Sequence, residues 1–159
     1  MEKKIATAHA KKPAAKKAAP AKPASVKEKY VEGIGRRKTS VARVRMYPKE
    51  IGKKGQFDVT VNGKPYTKYF PLEKQRKTAL APFTATEENF RVTVVAKGGG
   101  LHGQVEAVRM GLSRALAEEK ADYRSRLRAL GYLTRDPRMV ERKKFGSRKA
   151  RRPQQWRKR

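Results

Sequence analysis

His102 and Glu106 stand four residues apart, a spacing that sets an imidazole and a carboxylate on one face of a helix, where they could exchange a proton. General acid–base work also needs a nucleophile or a second catalytic group, and none accompanies the pair, so a polar contact on an exposed face is the expected role. The run Gly98-Gly99-Gly100-Leu101-His102-Gly103 has the glycine spacing of a dinucleotide-binding turn. That chemistry requires a second parallel strand after the helix, ending in an acidic residue for the ribose. Here Glu118-Glu119-Lys120-Ala121-Asp122 leads into another helical pattern instead. No Gly-Lys-Ser/Thr follows the glycines, which excludes the phosphate loop of nucleotide hydrolases. The glycines are then expected to let one backbone approach another closely, and to offer N–H groups to a phosphate at a helix N-terminus. The absence of cysteine excludes thiolate metal sites, disulfides and cysteine nucleophiles, and two histidines make a zinc site unexpected. No cofactor and no enzymatic activity are expected.

The cations carry a clearer signal. Lys and Arg number 42 against 14 Asp and Glu, a formal net charge of +28 that calls for a polyanionic partner. Residues 1–28 contribute +6, residues 29–137 contribute +12, and residues 138–159 contribute +10, so the densest charge lies at the end. Arg36, Arg37 and Lys38 interrupt an apolar strand region, and Thr39 and Ser40 beside them add short hydroxyls suited to phosphate. Arg43 belongs to the basic outer face of the strand that follows. In the tail, Arg142, Lys143, Lys144, Arg148, Lys149, Arg151 and Arg152 recur every few residues around Phe145 and Gly146, and Arg157, Lys158 and Arg159 follow Trp156. An extended chain so spaced meets successive phosphates while its aromatic and guanidinium planes stack on bases or sugars. A merely solubilising tail would not need seven Arg and a Trp. No apolar run approaches the ~20 residues of a membrane span, Ile5–Ala8 is too short for a signal core, and neither terminal segment supplies the apolar face of a membrane-surface helix.

Elements must position these residues. Residues 1–28, almost wholly Lys, Ala and Pro, bury too little to offset ordering entropy and are expected to be disordered. Residues 29–137 suffice for one modest domain, with order beginning near Tyr30. Ala42, Val44 and Met46 alternate with Arg43 and Arg45, Phe57, Val59 and Val61 with Asp58 and Thr60, and Phe90, Val92 and Val94 with Arg91 and Thr93, predicting three half-buried strands. Asn62-Gly63 predicts a tight hairpin. A short helix is expected over 72–80 behind Pro71, and a longer one beyond the glycines with the stripe Val105, Val108, Leu112, Ala115 and Leu116. Tyr123, Leu127 and Leu130 predict a last helix stopped by Gly131. From 138 to 159 bulky apolar residues are too sparse for a self-supporting element, so the tail should be extended and fold only against a partner. The whole reads as an α/β (α+β) two-layer domain with a basic arm and a basic tail.

Several of these segments together resemble the S9 family of small-subunit ribosomal proteins in its bacterial form. They are Gly33-Ile34-Gly35-Arg36-Arg37-Lys38-Thr39-Ser40-Val41-Ala42-Arg43-Val44, Val61-Asn62-Gly63, the turn from Gly98 to Gln104, Gly111 to Leu116, Leu133-Thr134-Arg135-Asp136 and Glu141-Arg142-Lys143-Lys144. The resemblance covers roughly residues 30–159. It implies the fold of the second domain of the fifth small-subunit protein, with a left-handed βαβ crossover where pattern alone would favour the right hand. It also implies a place in the subunit head on ribosomal RNA among other head proteins, in the cytoplasm or an organelle. The tail would thread toward the peptidyl site, where Lys158 and Arg159 approach the tRNA anticodon stem-loop. The chain departs from the family in its arm before Lys29, and in Arg152-Pro153-Gln154-Gln155-Trp156-Arg157 where Arg-Ala-Pro-Gln-Phe-Ser is usual. The rival reading from charge alone is a histone-like DNA-binding protein, which the Lys-Ala-Pro arm would suit.

Overall fold

In the computed structural model, which describes residues 29–51 and 57–157, the predicted alternation becomes a sheet with one apolar face. The disordered arm expected over 1–28 lies outside the described residues. Strand β1 (Val31–Arg37) pairs antiparallel with β2 (Ser40–Ile51), β2 with β5 (Phe90–Lys97), and β3 (Val59–Val61) with the two-residue β4 (Lys64–Pro65). Strands β3 and β5 run parallel, giving a mixed five-stranded sheet of order β1-β2-β5-β3-β4. Ala42, Val44 and Met46 on β2, Val59 and Val61 on β3, and Val92, Val94 and Ala96 on β5 all turn inward and are buried. Asn62 and Gly63 join β3 to β4 with φ of 49° and 75°, the two left-handed residues that a tight hairpin requires.

All of the helical cover lies against that apolar face. Helix α3 (Leu101–Glu119) buries the whole predicted stripe, and fully burying each of its leucines contributes roughly 1.5–3 kcal/mol. Strand β1 is a finding beyond the predicted strands. Its inward positions are Gly33 and Gly35, and an added Cβ on Gly35 would fall 1.8 Å from the Ala107 carbonyl of α3. The missing side chains let strand and helix touch backbone to backbone.

Between β3 and β5 lie a single turn, α1 (Tyr66–Tyr69), and α2 (Glu73–Thr86). The latter runs past the residue 80 boundary expected from sequence and carries Pro82 inside it. A proline there forfeits one helical hydrogen bond, but burial of Pro82, Phe83 and Thr86 against the core holds the last turn in place. Helix α4 (Ala121–Ala129) buries Tyr123 and Leu127. Leu130 departs from the expected stripe and is exposed, because it already caps the helix. Gly131 ends α4 as predicted, with φ of 70°, its N–H on the Arg128 carbonyl and that of Tyr132 on Leu127. No helix among the described residues is long and apolar enough to cross a membrane.

Candidate nucleic-acid interface

The tight turn between β1 and β2 carries Lys38, with φ of 51°, and Thr39, both exposed, and Arg36 is exposed just before it. This turn rests on the glycine turn that follows β5, although the two are far apart in the chain. A Cβ on Gly98 would stand 2.6 Å from the Thr39 carbonyl, and one on Gly99 2.1 Å from the Ser40 hydroxyl oxygen. Both glycines have positive φ, so close approach and backbone conformation demand glycine together. Nothing lies within 4 Å of the same point on Gly100, which forms the outer corner at the start of α3. That helix begins without a side-chain cap and with no acidic residue in its first turn, and the Gly99 ahead of it packs against Thr39 and Ser40.

Two residues expected to meet phosphate are built into the support. Ser40 is buried, and its hydroxyl donates to the Gly98 carbonyl at 3.1 Å. Gln104 Nε2 donates to the same carbonyl, also at 3.1 Å, while its Oε1 accepts from the Tyr69 hydroxyl at 2.7 Å. Asn62 extends the chain of bonds: Nδ2 donates to Tyr69 at 3.3 Å and to the Ala96 carbonyl at 3.0 Å, and Oδ1 accepts from the Ala96 amide at 2.9 Å. Ser40 is corrected from a surface phosphate ligand to an inward anchor because the glycine turn covers it. Gln104, half-buried in the glycine turn that the family resemblance singles out, keeps one amide N–H and one oxygen lone pair beyond these bonds. Tyr69 carried no sequence signal, and Asn62 signalled only a turn.

Arg37 too points into the molecule. Its guanidinium pairs with Glu106, reaches Asp136 Oδ2 at 3.0 Å, and donates to the Arg138 carbonyl at 2.6 Å. Only 11% of its side chain is exposed. The expected His102–Glu106 pair exists at 3.4 Å with His102 on the surface, but Glu106 faces Arg37 first. Asp136 also accepts from the Arg138 side chain and amide, and those bonds, with Arg37 nearby, hold its carboxyl well below the usual carboxylate range. Arg37 therefore clamps the root of the tail to the turn that displays Arg36 and Lys38.

Beyond this root every predicted tail cation among the described residues is exposed, from Arg142, Lys143 and Lys144 through Arg148, Lys149, Arg151 and Arg152 to Arg157. Lys158 and Arg159 lie outside the described residues. The tail is not extended throughout, as the sequence suggested. Its one acid, Glu141, takes two bonds from Arg151 at 2.6 and 2.9 Å, and the Arg148 amide donates to the Arg152 carbonyl at 2.9 Å, so residues 141–152 fold back on themselves. Phe145 and Trp156 are over nine-tenths exposed. Arg43, on the outer sheet face, is exposed and pairs with Glu32 at 2.7 Å. No cluster of His, Asp and Glu among the described residues could hold a metal.

Much of this sequence is shared with known proteins. The sequence profile of ribosomal protein S9/S16 matches residues 35–159, taking in the cationic turn, the glycine turn and the tail. The chain belongs to the ribosomal protein S9 family. It is 44% identical over 129 residues to the small ribosomal subunit protein uS9 of Thermus thermophilus, covering 80% of this chain and 96% of that protein, and the uS9 proteins of two strains of that organism match to the same extent. The S9 family is a structural, non-enzymatic component of the ribosome. The profile match begins at Gly35, which leaves the Lys-Ala-Pro segment ahead of the shared sequence.

Proposed function

We propose that this S9-family chain is a constituent of the small ribosomal subunit that binds ribosomal RNA in the head and reaches the peptidyl-site tRNA with its tail. The observation that carries the reading is the packing of the exposed Lys38–Thr39 turn on the glycine turn that opens α3, at the point where the cationic tail leaves the domain, with Arg36 exposed on the adjoining sheet face. Backbone amides, the Thr39 hydroxyl and the Lys38 ammonium at one corner make a phosphate site, with Gly98, Gly99 and Gly100 lending main chain to it and Arg36 adding charge from the sheet. Arg142, Lys143, Lys144, Arg148, Lys149, Arg151 and Arg152 extend the contact along RNA, and Arg157, Lys158 and Arg159 are assigned to the tRNA anticodon stem-loop. Arg43 contributes from the sheet, while Arg37, Ser40 and Gln104 hold the site in shape.

In this reading residues 1–28 are an accessory arm, 29–137 the anchoring domain and 138–159 the reaching tail. The β3-α2-β5 crossover takes the left hand, as in the second domain of the fifth small-subunit protein. The setting is the bacterial cytoplasm, among other head proteins. A tail that neutralises about ten phosphates gives a logarithmic salt slope of roughly −7 to −9 for binding of the full chain to protein-free small-subunit RNA. A slope near zero sinks the reading. Competition at fixed salt separates it from DNA packing: equal or better binding to duplex DNA than to the structured RNA overturns it in favour of the histone-like alternative.

A further inference from the structure

Among the described residues, the helices cover one face of the sheet and leave the other open. Along that outer face, the register sets Arg36, Val41 and Lys97 in one row across β1, β2 and β5, and Ile34, Arg43 and Val95 in the next. Ile34, Val41 and Val95 are each about 40% exposed, an unusual share for aliphatic side chains of a sheet. Val41, Arg43, Arg45, Val95 and Lys97 line a shallow depression of about 150 Å³. Among the described side chains of these three strands the outer face carries five cations, with Arg91 and Arg45 completing the set, against one acid, Glu32, which pairs with Arg43.

We propose that this face is a second RNA-binding surface, seating the shallow minor groove of an RNA duplex across β1, β2 and β5. The inference rests on the ribosomal RNA reading above and adds a site to it. Charge selects the polyanion, because the cores of protein–protein interfaces are depleted in charged residues and this one is centred on Arg43. The apolar residues select the duplex. A sheet that stacks splayed bases needs exposed aromatic rings, whereas here the middle rows are aliphatic. The tyrosines at the margin are already taken, with Arg45 5.0 Å over the Tyr30 ring and Arg91 5.5 Å over Tyr47. Three strands give a platform about 10 Å across. Its valines and isoleucine can lie on riboses in the wide minor groove while long cations at the borders reach phosphates on either side.

The test uses the full chain and protein-free small-subunit RNA over a salt series, comparing wild type with R45S/K97S and with the tail pair R142S/K143S. Loss of two phosphate contacts makes the R45S/K97S slope shallower by about 1.4–1.8, with unchanged thermal unfolding. Val95→Asp, an outward and exposed site, weakens RNA binding by charge alone and guards against a misfolded double variant. If the wild type and the tail pair behave as proposed but R45S/K97S and Val95→Asp bind as wild type, the sheet face is overturned and the RNA reading stands. If the wild type itself shows no steep slope, both fall. Competition by a single strand as effective as by its duplex overturns the minor-groove assignment. So does a photo-cross-linker at Val95 that captures protein and not RNA in assembled subunits.

Discussion

At the scale of single residues, the structure separates cations that face outward from one that faces inward. Asp136 lies between that inward cation and Arg138 at the root of the tail. Its carboxyl is held below the usual range first by the Arg138 side chain, then by the Arg138 amide, with Arg37 adding to both. A depressed folded value means that the clamp is fully stabilising above the ordinary aspartate range near pH ~4 and weakens as pH falls toward the folded value. Carbon-detected titration of the chain should find Asp136 with a midpoint well below the ordinary aspartate value of about 3.9; a midpoint at the ordinary value would refute the ion pairing at the root of the tail. Glycines give a second, sharper test. Gly35→Ala drives a methyl into the Ala107 carbonyl and should cost about 3 kcal/mol in urea unfolding, whereas Gly100→Ala, with open space around it, should stay within about 0.5 kcal/mol.

At the scale of elements, what was legible in the sequence was what repeats. Period-two runs disclosed β2, β3 and β5, the Val105–Leu116 stripe disclosed α3, and Asn62-Gly63 the hairpin, since each is a pattern of side chains facing one core. Strand β1 was invisible as a strand because its inward residues are glycines, which hydrophobic periodicity cannot register. The end of α2 was misplaced because Pro82 ordinarily stops a helix, and only tertiary burial of Phe83 and Thr86 carries it further. In the site, sequence identified both turns but could not show that they touch. Nor could it tell a surface arginine from a buried one: Arg36 and Arg37 are neighbours with opposite fates because strand alternation turns one out and the other toward α3. Arg37→Ala therefore leaves Glu106 with only His102 beside it and the Arg138 carbonyl without its donor. It should destabilise the chain by about 1–3 kcal/mol and speed tryptic cleavage after Arg138, read by gel against wild type under native conditions. Arg36→Ala should change neither.

At the scale of the whole molecule, anchoring and reaching are assigned to different parts of one chain, and they should fail separately. Removing Arg157 to Arg159 should leave incorporation into small subunits intact while tRNA dissociates faster from the peptidyl site, measured by filter retention on mutant subunits; unchanged dissociation would count against the tail's assignment. One further consequence follows from an edge. Strand β1 ends the sheet, and its partnered side is β2, so its other side could template the same strand of a second copy. Arg114 of α3 donates to the Ile34 carbonyl of that strand at 2.7 Å, with the cationic Arg36 two residues on. A newcomer strand would have to displace a guanidinium and bring its own Arg36 beside this one. Before any RNA is present to neutralise it, the chain thus carries a built-in guard against stacking into fibres of itself.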